Sequence, residues 1–129
     1  MSINFLAVLV AAASSFALGG LWYSPVLFLN PWNKAMGRSD NDNGPPARVF
    51  GLSFVFALVA AFVFAMLLGP SPALSEAWKA GLLVGVGFVA MSLGINYQFA
   101  NRPIVAWLID GGYHTAQFVL YGLILGAWH

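Results

Sequence analysis

Residues 104–128 run apolar for long enough to cross a bilayer, yet their interior carries Asp110, His114 and Gln117. A charged side chain at the bilayer centre costs roughly 2.5–3.5 kcal/mol on insertion scales, so such groups face a bundle interior, a partner or a watery cavity. Residues three and four apart are neighbours on a helix, which puts Asp110, Tyr113, His114, Gln117 and Tyr121 on one stripe. The opposite side, with Ile109, Ala116, Val119 and Leu123, is apolar. The segment is therefore expected to turn its polar stripe toward protein.

Three more segments have the roughly 20 apolar residues a spanning helix needs. The expected spans are 3–23, 49–69, 77–97 and 104–128, in a single transmembrane domain over residues 1–129. With 60% hydrophobic and 7% charged residues, the chain lacks the polar coat a soluble domain requires. The expectation is an all-α integral membrane four-helix bundle with the lipid bilayer as its partner. A net charge of +1 leaves no basic patch for nucleic acid. Without cysteine, thiolate chemistry and Cys-based metal sites are excluded, and a single intraspan histidine leaves no metal or haem site within one chain. No hydrolase, zincin or phosphate-loop motif occurs. No enzyme activity and no cofactor are expected.

Pro25, Gly69-Pro70-Ser71-Pro72 and Asn101-Arg102-Pro103 punctuate the spans. The second and third connections are short, which implies antiparallel hairpins. The first, 25–47, divides into an aromatic and basic part with Phe28, Trp32 and Lys34, suited to the interface, and a polar part over 38–46. The run Ser39 to Gly44 resembles a calcium loop only superficially, because Phe50 stands where the bidentate Glu belongs. Lys34, Arg38, Arg48 and Arg102 fall in the first and third connections against Lys79 on the other side. Those connections are expected to be cytoplasmic, with both termini extracytoplasmic. The N-terminus lacks a basic leader and reads as a retained first span.

Membrane helices associate through close backbone approach, which small residues at every fourth position permit. Such stripes include Ala11, Ser15 and Gly19 in the first span, Ala61 and Ala65 in the second, Gly81 and Gly85 in the third, and Gly122 and Gly126 in the fourth. They are assigned to packing within the bundle, with contacts between protomers of a homo-oligomer as the alternative. Leu18-Gly19-Gly20-Leu21-Trp22 parallels Leu93-Gly94-Ile95-Asn96-Tyr97, and Ala65-Met66-Leu67-Leu68-Gly69 parallels Gly122-Leu123-Ile124-Leu125-Gly126. These pairs point to a duplicated hairpin with a pseudo-two-fold axis.

The candidate ligand or proton site gathers Asp110, Tyr113, His114 and Gln117 with Asn96 from the third span and Trp22 and Tyr23 from the end of the first. Asp110 and His114, one turn apart, form a titratable pair suited to relaying protons or holding a cation. Two alternatives stand beside this. Asp110 pairs with His114 or Arg102 while Gln117 and Asn96 bond between helices, or Asp110 caps a shorter fourth helix. Ser14 and Ser15 are expected to bond their own helix.

The combination of Leu18-Gly19-Gly20-Leu21-Trp22-Tyr23-Ser24-Pro25, Asn96-Tyr97, Arg102-Pro103 and Ile109-Asp110-Gly111-Gly112-Tyr113-His114 resembles the DUF1761 family of small bacterial membrane proteins along the whole chain. The chain departs from the family pattern at Leu29-Asn30 and Ala100-Asn101. The resemblance implies a multi-pass bacterial inner-membrane protein and brings no assigned activity. Of the functional classes, a small-solute or ion transporter or channel-like protein, assembled as a homo-oligomer, is expected first. A non-transporting structural or partner-binding protein comes second, and a membrane enzyme acting on a lipid or quinone third.

Overall fold

A computed structural model describes residues 3–39 and 44–128, so residues 40–43 of the calcium-like run lie outside the described residues. The described residues are helical, with no strand among them. In chain order they form α1 (Phe5–Trp22), α2 (Leu29–Met36), α3 (Pro46–Leu68), α4 (Leu74–Leu83), a π-helical segment (Val84–Ala90), α5 (Met91–Phe99) and α6 (Ile104–Ala127).

Local chemistry sets these ends. Asn4 accepts the Ala7 N–H at 3.0 Å, satisfying one of the unpaired donors at the start of α1. Helix α3 starts at Pro46, earlier than the apolar run indicates, because proline in a first turn has no N–H to lose. Helix α2 forms within the expected interfacial connection and ends at Gly37, whose φ of +66° suits a residue without Cβ. Helix α6 runs unbroken from Ile104, so Asp110 lies inside it and does not cap it.

Three helices are long and apolar enough to cross a membrane: α1, α3 and the continuous run Leu74–Phe99. The 24-residue α6 is long enough, but its polar stripe leaves it outside that set. Large apolar side chains cover the outer faces, with Leu83 71% and Phe88 70% exposed, a surface that suits hydrocarbon.

Helix α6 is the hub. It packs most extensively on α4 and the π-helical segment and also on α1, while α3 packs mainly on α1. Ala7, Val8, Ala11, Ala61, Phe64, Ala65, Tyr121 and Leu125 form the core where α1, α3 and α6 meet. Against α4 the contact is backbone on backbone. A β-carbon at Gly122 would lie 2.3 Å from the Ala77 carbonyl oxygen, one at Gly81 2.2 Å from that of Phe118, and one at Gly85 2.6 Å from the Thr115 Cα. Gly126 sits equally close to Leu74 and Ala77. Helix α6 therefore runs antiparallel to α4 and the π-helical segment that follows it, in a register that sets Gly81, Gly85 and Gly122 against main chain and Gly126 against the Leu74 Cα and the Ala77 β-carbon.

Helices α1 and α6 approach differently, each placing an aromatic ring on the other's glycine. Tyr113 lies over Gly19, with its hydroxyl 3.2 Å from where a β-carbon would sit, and Trp22 lies 3.1 Å from the corresponding point on Gly112. Asn4 Nδ2 donates to the Trp128 carbonyl at 3.3 Å, so the start of α1 and the end of α6 share one end of the molecule.

Candidate functional site

At the other end, one carboxylate collects four segments. Asp110 on α6 is buried, at 7% exposure. Its Oδ1 accepts a hydrogen bond from the Tyr23 hydroxyl, just beyond α1, and its Oδ2 accepts from the Tyr97 hydroxyl on α5. Trp32 Nε1, on α2, donates to Oδ2 at 3.2 Å. All three partners are neutral donors, and an ionised carboxylate can only accept. No described side chain forms an ion pair with it: Arg102 instead donates to the Met36 carbonyl at 3.1 Å.

The surrounding rings hold this arrangement. Tyr23 meets Trp32 edge to face at 5.3 Å and Tyr113 at 5.6 Å between centroids, geometry that aromatic quadrupoles favour. Trp22 donates to the Ile109 carbonyl at 2.9 Å, locking the end of α1 onto the turn of α6 that carries Asp110. Tyr113 donates to the Ser15 carbonyl at 2.9 Å.

A second polar chain runs along the same stripe. Ser15 Oγ donates to its own helix at Ala12 O, 2.8 Å, and so can only accept from Tyr121, whose hydroxyl reaches it at 3.2 Å and the Ala57 carbonyl at 3.3 Å. The Tyr121 oxygen then accepts from Gln117 Nε2 at 2.7 Å, which turns Gln117 Oε1 toward His114 Nδ1 at 2.7 Å. Because that oxygen only accepts, Nδ1 carries the proton. The chain joins α6 to α1 and α3 and leaves no buried side-chain polar atom unpartnered among the described residues. Tyr121 is fully buried. Tyr121→Phe is expected to strand Gln117 Nε2 and lower stability by about 1–3 kcal/mol, measured by denaturant titration of the detergent-solubilised protein.

Asp110, Trp22, Tyr23 and Tyr113 thus come together, and Gln117 and His114 stand beside them in a separate network. The expected Asp110–His114 pair does not form: the carboxylate turns to Tyr23, Tyr97 and Trp32, and the imidazole to Gln117. Asn96 is exposed, and its neighbour Tyr97 reaches the carboxylate in its place. Tyr97 and Trp32 are the residues that helical periodicity did not single out. Ser14 and Ser15 bond their own helix at Ala11 and Ala12. Among the described residues, no three His, Cys, Asp or Glu side chains cluster as metal ligands would.

An all-helical chain with long apolar helices and a buried, aromatic-ringed carboxylate is compatible with a membrane protein. The chain belongs to the DUF1761 family: the model described as "Protein of unknown function (DUF1761)" matches residues 6–126, nearly the whole length. No curated protein and no solved structure matches it.

Proposed function

We propose that the chain is a four-span membrane protein that binds or passes a small cationic solute or ion, with Asp110 as the residue that meets it. The observation that carries this reading is a buried carboxylate whose partners are two phenols and an indole, with no cationic side chain paired to it among the described residues. A carboxylate at that depth is costly unless something offsets its charge. Protein donors supply hydrogen bonds but no positive charge, which leaves that part to a proton or a small cation.

The topology in this reading has α1, α3, the Leu74–Phe99 run and α6 as spans, packed as a four-helix bundle. The shared end of Asn4 and Trp128 supports an even number of crossings. The position of Lys34, Arg38, Arg48 and Arg102 supports a cytoplasmic placement of the opposite end.

Proteoliposomes carrying an internal pH indicator or a sodium or potassium reporter test the reading under an imposed potential. Wild-type protein is expected to conduct one of these ions above empty vesicles, and Asp110→Asn to remove that flux. Absence of flux for all three, or undiminished flux in Asp110→Asn, would overturn it. A second reading, in which Asp110 only ties the bundle end together, is favoured by its bonds to three other segments. It is distinguished by inert wild-type vesicles together with an Asp110→Asn protein that no longer assembles.

A further inference from the structure

We propose that Nε2 of His114 is a binding site for the hydroxyl of a membrane-soluble phenol or hydroquinone. The proposal rests on the reading of α6 as a membrane span, and not on what Asp110 binds. It starts from the direction of the hydrogen bonds behind the imidazole. The Tyr121 oxygen faces the Ala57 carbonyl at 3.3 Å and Ser15 Oγ at 3.2 Å, and the Ser15 proton is already committed to the Ala12 carbonyl. Both groups accept from Tyr121, so its oxygen receives Gln117 Nε2 at 2.7 Å. With the Gln117 amide turned the other way, one phenolic proton would face three acceptors. Gln117 Oε1 is thereby held toward His114 Nδ1, 2.7 Å away, and the ring proton sits on that nitrogen.

The neutral ring therefore keeps a lone pair on its other nitrogen. Nε2 bonds no described residue. Since no unpartnered side-chain polar atom is buried among the described residues, Nε2 lies where a molecule the size of water can touch it, on a half-buried side chain. His114 stands ten residues past Ile104 in the 24-residue α6, which is about 15 Å along the helix axis. In a hydrocarbon layer about 30 Å thick, that is close to the middle.

Depth selects the partner. An acceptor without a donor is costly in hydrocarbon, where water does not supply the missing bond. Phospholipid hydroxyls stay at headgroup level, and an ammonium donor would bring a charge that is itself expensive at the midplane. A hydroxyl on a mainly apolar molecule meets neither obstacle. A phenolic hydroxyl is more acidic than an aliphatic one and so the stronger donor to a ring nitrogen.

Nuclear magnetic resonance of the detergent-solubilised full chain tests this with para-octylphenol and para-octylanisole, which differ in that the ether has no proton to donate. The sequence holds two histidines, so isotope-labelled histidine gives two imidazoles, and His114→Phe assigns their signals. Octylphenol is expected to move the His114 Nε2 resonance saturably, at a micellar concentration at least about tenfold below any effect of octylanisole, the factor that one hydrogen bond contributes. The other histidine should not respond. No saturable movement, or the same movement with both compounds, would overturn the proposal. So would a ligand-free Nε2 resonance that shifts on diluting the protein, which would place a second copy of the chain on this nitrogen. The wild-type titration decides the matter even if His114→Phe unfolds. Depth is read separately, from broadening of the same resonance by a spin label near the end of a lipid acyl chain; a signal untouched by that label would remove the span and the site together. Ion flux does not enter these measurements, so their failure leaves the reading of Asp110 standing.

Discussion

Asp110→Ala is expected to lower the stability of the detergent-solubilised protein by about 3–5 kcal/mol, because it strands three neutral donors together. The Tyr23 and Tyr97 hydroxyls and the Trp32 indole all lose their acceptor at once. A buried donor without a partner costs about 1–3 kcal/mol, and these three lie near a helix end where water partly replaces the carboxylate. Asp110→Asn should cost less, because the amide oxygen still accepts while the amide nitrogen only donates. The damage should also be local. Hydrogen exchange should accelerate in residues 23–36 and 97–103, which the carboxylate tethers, and stay slow in the α4–α6 contact, which glycines hold. Unfolding titrations give the magnitude, and exchange followed by mass spectrometry gives the place.

Gly122→Ala and Gly81→Ala form the second large prediction, and their cost comes from space alone. The added carbon at Gly122 would sit 2.3 Å from the Ala77 carbonyl oxygen, and at Gly81 2.2 Å from that of Phe118. Neither obstacle is a side chain that can rotate away. The helices must separate or shift, and each substitution is expected to cost about 2–3 kcal/mol, the upper part of the overpacking range. Leucine at either position should abolish the α4–α6 contact. Gly20→Ala and Gly51→Ala are the matched controls: a β-carbon at either meets nothing within 4 Å. Replacing an unobstructed helical glycine stabilises by roughly 0.5–1 kcal/mol. A denaturation series over these four variants separates steric contact from helix propensity, because propensity favours alanine at every one of them.

The same glycines show how much of the fold was legible beforehand. Four-residue spacing picked out Gly81, Gly85, Gly122 and Gly126 as packing surface, and each faces another helix's backbone or a side chain at its base. Close approach leaves a direct compositional trace, since only small residues permit it. The inward stripe of α6 was legible for a similar reason. Asp110 and Gln117 are buried, and each finds its hydrogen-bond partners within the protein.

Of the three donors to Asp110, Tyr23 was among the expected site residues, Tyr97 and Trp32 were not, and the π-helical segment explains Tyr97. Carrying the Gly81–Gly85 face onward at the α-helical period leads to Ser92 and Asn96. Between Val84 and Ala90 the helix takes the wider π turn, which inserts one residue and rotates everything after it. The face then continues through Ala90, which is buried, and Gly94, which meets Trp107, to Tyr97. The Trp107 indole donates to the Ala90 carbonyl at 2.8 Å, holding the end of the widened segment against α6. Nothing in Val84-Gly85-Val86-Gly87-Phe88-Val89-Ala90 announces a π turn, so the rotation is a product of tertiary packing. Trp32 was hidden for another reason. Its aromatic and basic neighbours mark the interface, but composition does not say that a short helix there will fold back over the bundle end.

His114 shows a limit of spacing arguments. Residues four apart on a helix are close enough to pair, yet each can be claimed by a better placed partner. Three donors from other helices converge on Asp110, and Gln117, itself oriented by Tyr121 and Ser15, takes His114.

The most direct measurement of the central claim, that the Asp110 carboxylate is gripped from across the bundle, is a double-mutant cycle between Asp110→Ala and Tyr97→Phe. Both groups contribute through one shared bond, so the account predicts that the double variant is less destabilised than the two single losses combined, by about 1–2 kcal/mol. Losses that add to within about 0.5 kcal/mol would mean the two side chains do not touch, and the site as described would not exist.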